Sequence, residues 1–260
     1  MRDHLKPRYL ITKLAPVLSL LATLLLAVQG GPLQCASVVG SRHDLSSDWW
    51  KGTPLMQLTL NNYGEVCVYC HTPHGGDSNI DAPLWNRTTP TGPYTLYSSS
   101  TLDSVVGQPS GVSLACLSCH EGTIAVDSVL NAPGGGTNTA GPWYGQTAAP
   151  LHFKMEQGID NCGECHTGGV GHDARMSYLG TDLRNDHPIS MVYPTPAQDP
   201  AFNQPNGTVG GPRSFANGIK TFTGDKVECA SCHNPHDPAN GSFLRVVNSG
   251  SALCNTCHIK

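Results

Sequence analysis

The sequence predicts a mostly irregular chain that carries short α-helices, and three observations lead there. Glycine and proline supply 49 of 260 residues, enough to punctuate regular structure along the whole length. Only 38% of residues are hydrophobic, and they recur over no long stretch at a helical or strand period, so neither a conventional core nor a sheet is expected. Finally, ten of the eleven cysteines fall in five copies of one pentapeptide, Cys-x-x-Cys-His.

The five copies are Cys67–His71, Cys116–His120, Cys162–His166, Cys229–His233 and Cys254–His258. Two thiols three positions apart on one helical turn can bond the two vinyl groups of a single porphyrin, and the histidine beside them can coordinate its iron. This spacing is the attachment signature of c-type haem. Rival readings fare worse. A thioredoxin-type pair occurs once within a βαβ pattern, which is missing here. A zinc site pairs two Cys-x-x-Cys units without demanding histidine after each, and disulfide frameworks vary their spacings. The expectation is five covalent haems, on Cys67 and Cys70, Cys116 and Cys119, Cys162 and Cys165, Cys229 and Cys232, and Cys254 and Cys257. Their proximal ligands are His71, His120, His166, His233 and His258. With roughly 45 residues per haem, the porphyrins themselves are expected to form the core of one domain.

Taken in order, the chain opens with Arg2, Lys6, Arg8 and Lys13, an apolar run from Leu14 to Val28, and small residues at Gly30 and Gly31. That is a secretory signal peptide, residues 1–30, with cleavage as late as residue 36 an alternative; the run is short for a membrane span. Cys35 leaves with the signal or stays as a spare thiol. The mature domain is then 31–260, with 11 basic and 18 acidic residues once the four basic residues and Asp3 of the leader are removed. An acidic chain argues against a nucleic-acid partner, and no membrane span remains after cleavage. Each motif reads as a short helix, capped by Asp160 for the third, Asp225 for the fourth and Ser251 for the fifth. Gly122 and Gly168 end the second and third. Residues 131–150 and 194–212 read as loops.

An internal repeat is visible. Cys67–His74 reads CVYCHTPH and Cys229–His236 reads CASCHNPH, and each is followed by a motif introduced by leucine, at Leu114 and Leu253. The chain therefore looks like two haem pairs with the Cys162 motif inserted between them. Together with Ser41-Arg-His43-Asp44, Ala82-Pro-Leu-Trp-Asn-Arg87, Leu114–His120 and Asn185-Asp-His-Pro188, these residues resemble the doubled-CxxCH family of multihaem cytochromes c. The sequence is similar in particular to small extracellular cytochromes of metal-reducing bacteria, some of which polymerise into haem filaments. Those relatives commonly carry four haems, and the Cys162 motif departs from that pattern.

Six histidines outside the motifs and the leader, His43, His74, His152, His172, His187 and His236, are the candidate distal ligands. His74 and His236 each follow a proximal histidine by three positions with proline between. Proline turns the chain out of the helix there, so such a side chain cannot reach the far face of its own porphyrin and suits a neighbouring one. His187 lies before Pro188 in an extended context, and His43 sits on an arm ahead of every motif; the resemblance implies that both are distal ligands. His152 and His172 bracket the inserted motif, and the choice between them stays open. Met56, Met155, Met176 and Met191 have no positional argument as ligands.

Two imidazoles per iron leave no site for substrate and favour low potentials. The expectation is an electron carrier rather than an enzyme, working in extracellular electron transfer. Its partners are other cytochromes, a terminal acceptor such as a metal oxide, and further copies of itself in a head-to-tail filament in which His43 completes a neighbour's haem. The alternatives are a soluble periplasmic shuttle, or a multihaem oxidoreductase with one open iron. The last needs a departure from the standard motif, and all five copies end in histidine.

Overall fold

Short helices sit where the cysteine pairs sit, and almost everything between them is irregular. The structure, a computed structural model, describes residues 37–46, 63–133 and 176–259. The leader, Cys35, the whole Cys162–His166 motif, His152, His172, Met56, Met155, Asp160 and Gly168 lie outside the described residues. The described residues all belong to one compact unit, Ala36–Lys260.

The first motif lies on a 3-10 turn, Val66–Tyr69. The second lies on α1, Ser113–His120, which ends at Glu121 with Gly122 following at φ 88°. That left-handed glycine is the helix stop expected from the sequence. The fourth lies on α2, Cys229–Cys232, and the fifth on α3, Ala252–Cys257. Two two-residue strands, β1 (Met191–Val192) and β2 (Lys226–Val227), pair antiparallel with Met191 opposite Val227. This ribbon delivers the chain into α2.

Two of the expected caps are corrected. Asp225 does not cap α2; it is buried against Arg213, with Arg213 Nε donating to Oδ1 at 3.0 Å and Nη2 in ion-pair contact with Oδ2 at 2.7 Å. Glu228 takes its place in a capping box with Ser231. Ser251 does stand at the N-cap of α3 but makes no side-chain cap bond, because its backbone is left-handed at φ 62°. Asn248 Oδ1 accepts the Leu253 N–H instead, at 3.1 Å.

The internal repeat extends well past the motifs. After the first, the Thr72 N–H donates to Leu84 O at 2.9 Å and Asn86 N–H to Cys70 O at 2.8 Å. After the fourth, the Asn234 N–H donates to Phe243 O at 2.7 Å and Arg245 N–H to Cys232 O at 2.8 Å. Asn86 Nδ2 caps Val68 O at 2.7 Å, and Arg245 Nε caps Ala230 O, the same helical position, at 2.8 Å. Leu84 and Phe243 share a left-handed backbone, φ 51° and 56°. One local design is thus built twice with different side chains.

Apolar packing is thin. One cluster joins Ile80, Trp85 and Ala115, with Cys70, Ala82 and Leu114 against it. Another joins Tyr94, Leu117 and Leu183, with Leu96, Leu179 and Ile189. Among the described residues, fifteen buried polar or charged side chains stand beside thirteen buried hydrophobic ones, so apolar side chains alone do not make the core. Arg87 shows what replaces them. Fully buried, it donates to the carbonyls of Ser118, Ala125, Val126 and Ser128 and to Ser118 Oγ, pinning α1 to the loop that follows it.

Candidate functional site

The histidines are held by a common device. His71 Nδ1 bonds Pro83 O at 2.7 Å, His120 Nδ1 bonds Ser177 O at 2.6 Å and His233 Nδ1 bonds Ser242 O at 2.9 Å. Among the other candidates, His43 Nδ1 bonds Pro235 O at 3.3 Å and His187 Nδ1 bonds Pro188 O at 2.9 Å. A carbonyl can only accept, so each Nδ1 is the donor, and Nε2 is the nitrogen left to face a metal. Pro83, Ser242 and Pro235 were invisible as positioning groups in the sequence. The alignment of Pro83-Leu-Trp-Asn86 with Ser242-Phe-Leu-Arg245 was the signal that could have found two of them.

Three rings of the motif histidines face rings of non-motif histidines. His71 and His236 have centroids 6.1 Å apart with planes 19° from parallel. His120 and His43 are 6.2 Å apart at 69°, and His258 and His187 are 6.3 Å apart at 65°. Two imidazoles on opposite sides of one metal ion, each bond about 2 Å long, bring their ring centres about 6 Å apart. His236 faces the histidine of a different motif rather than its own. His43 faces His120 of its own chain. Among the described residues, neither His74 nor His233 has another imidazole at this spacing. Met176 is 92% exposed and Met191 is buried in β1.

The surroundings suit neutral ligands. Burial holds His43, His120 and His236 below the ordinary histidine range; the positive tendency of His120 also acts on His43, and that of His71 on His236. The neutral imidazole is the coordinating form. Phe243 stacks on His43 at 4.1 Å with planes 9° apart, while the neighbouring Ser242 carbonyl holds His233. A single left-handed turn therefore orients ligands belonging to two different motifs. Phe202 packs against His258 at 4.5 Å and Trp85 stands edge-on to His71 at 5.6 Å.

Burial pushes Cys70 up to about 12 and Cys232 up to about 11, whereas hydrogen bonding holds Cys229 below the ordinary thiol range. Among the described residues no three His, Cys, Asp or Glu side chains converge on one point. The imidazoles come in twos. Trp85 Nε1 is buried without a hydrogen-bond partner beside His71, a donor suited to a porphyrin carboxylate. The residues present thus fit a haem attached by two cysteines and held between two histidines.

Among the described residues no helix is long and apolar enough to cross a membrane. No curated protein matches the chain. Residues 221–260, which hold the fourth and fifth motifs, match the family pattern described as the doubled CXXCH motif. The match supports a haem-binding cytochrome of the multihaem c type, with the haem covalently bound.

Proposed function

We propose that this chain is a pentahaem c-type cytochrome that carries single electrons between closely packed haems, each iron closed by two imidazoles. The observation that carries the reading is the set of three imidazole pairs at one-metal spacing, His71 with His236, His120 with His43 and His258 with His187. Each joins a motif histidine to one outside any motif. Haem supplies the one-electron chemistry. The chain's own residues position its ligands, shield them from water and set the distance between neighbours. The direct test is the intact mass of the mature protein from a host that attaches haem, where five haem additions and loss of residues 1–30 are expected.

Export and work outside the cytoplasm follow from the leader and from the compartment in which c-type haem is attached. Extracellular delivery of electrons to another cytochrome or a metal oxide rests on the resemblance. So does a filament of head-to-tail copies. In such a filament His43 would be the bridging ligand, whereas within the single chain its imidazole faces His120. A second reading has one observation in its favour: His233 lacks a facing imidazole among the described residues. An open iron there would bind small ligands and make the protein an oxidoreductase, unless His74, His152 or His172 closes it.

A further inference from the structure

We infer that the second haem-attachment motif is a direct neighbour of the fourth, and that Ser113 and Glu228 lock the two together. Sequence order alone would put the third motif between the second and the fourth. The inference rests on reading the motifs as haem-bearing and goes beyond it by fixing which neighbours exchange electrons.

The first and second meet where Leu114 and Ala115 of α1 pack with Cys70 and Trp85, and where Arg87 reaches Ser118, between Cys116 and Cys119. The second and fourth meet at a buried polar lock. The Cys229 N–H donates to Ser113 Oγ at 3.0 Å, and Ser113 Oγ donates in turn to Glu228 Oε2. Ser190 Oγ donates to the same oxygen at 2.9 Å, and the Glu228 N–H donates to Ser231 Oγ at 2.9 Å. Ser113 is 0% and Glu228 2% exposed. Buried polar groups are costly unless satisfied, and here all are satisfied in a way that holds α1 and α2 face to face. At that junction Cys116 lies one turn along α1 from Ser113, and the Cys229 N–H is bonded to that same serine.

With haem attached at both motifs, this lock would hold the two cofactors close, and electron tunnelling weakens steeply with separation. With haem held at both motifs, the crossing would leave the second site oxidised by one electron and the fourth reduced by one. One electron moves, no bond forms or breaks, and no proton is required. Ser113 and Glu228 are positioning residues for this crossing.

The test uses the mature holoprotein, reduced substoichiometrically by a photoexcited ruthenium complex, with redistribution of the electron followed optically and haem count by intact mass. Cys162→Ala/Cys165→Ala should lose one haem and keep the fast redistribution phase of the wild type. Ser113→Ala should keep every haem and lose the fast phase, and Ser113→Thr should restore it. Loss of the fast phase on removing the third haem alone, with four haems attached, overturns the direct crossing from the second to the fourth. A fast phase unchanged in Ser113→Ala overturns the lock. A wild-type protein that takes up no haem fails the functional reading instead, so the two failures are told apart by mass.

Discussion

His236 stands 6.1 Å from His71, ring centre to ring centre, although His233 of its own motif is only three positions away. Pro235 turns the chain away from the motif helix, and the imidazole is delivered to the first motif instead. The His236→Ala protein should keep all its covalent haems and gain one iron that binds carbon monoxide when reduced. A variant that stays wholly six-coordinate and binds no carbon monoxide would leave His236 as an ordinary turn residue.

Asn86 is fully buried and ties three segments together. Its amide donates to Val68 O at 2.7 Å and Asn131 O at 3.0 Å, and its Oδ1 accepts the Asn131 N–H at 2.8 Å. Asn86→Ala leaves a donor and acceptors stranded and should cost about 1–3 kcal/mol. The check is the denaturant midpoint; a shift no larger than that of an exposed alanine substitution contradicts the role.

Arg213 and Asp225 form an ion pair with side chains 2% and 0% exposed, helped by Thr221 Oγ1 donating to Asp225 Oδ1 at 2.8 Å. Removing one member strands a buried charge. Asp225→Ala should therefore destabilise by about 3–5 kcal/mol, seen as a lower thermal midpoint, while Arg213→Met/Asp225→Leu should recover much of the loss.

Burial raises the Glu228 carboxyl above the ordinary glutamate range, opposed in part by its hydrogen bonds from Ser113 and Ser190. A raised carboxyl keeps its proton in the folded protein where the unfolded chain has already lost it. Stability from this group is complete below the unfolded value and falls as pH climbs through the folded one. Denaturation measured across that window should show the fall in wild type and a flatter profile in Glu228→Gln. Equal slopes would remove Glu228 from the balance.

How much of this was legible in the sequence differs by level. The irregular fold was, because its composition cannot bury an apolar core and its cysteines repeat at one spacing. Gly122 as a helix stop was too, since only a residue free to take a left-handed backbone fits there. The capping of α2 was misjudged: Asp225 and Glu228 both precede the motif, and only the distant Arg213 decides that Asp225 is drawn away. Which imidazole faces which motif could not be read at all. His43 reaches His120 through Pro235 and Phe243, residues far along the chain, and spacing carries no information about such a meeting. The extension of the repeat hid because Asn86 and Arg245 share a task without sharing chemistry.

Electron paramagnetic resonance of the oxidised, intact protein decides whether two imidazoles close each iron for electron transfer. The account predicts low-spin ferric signals of bis-imidazole type alone, accounting for five irons per chain by parallel iron analysis. A stoichiometric high-spin ferric signal, assigned by its loss in a variant lacking one motif's cysteines, would contradict it and identify an open, substrate-accessible iron.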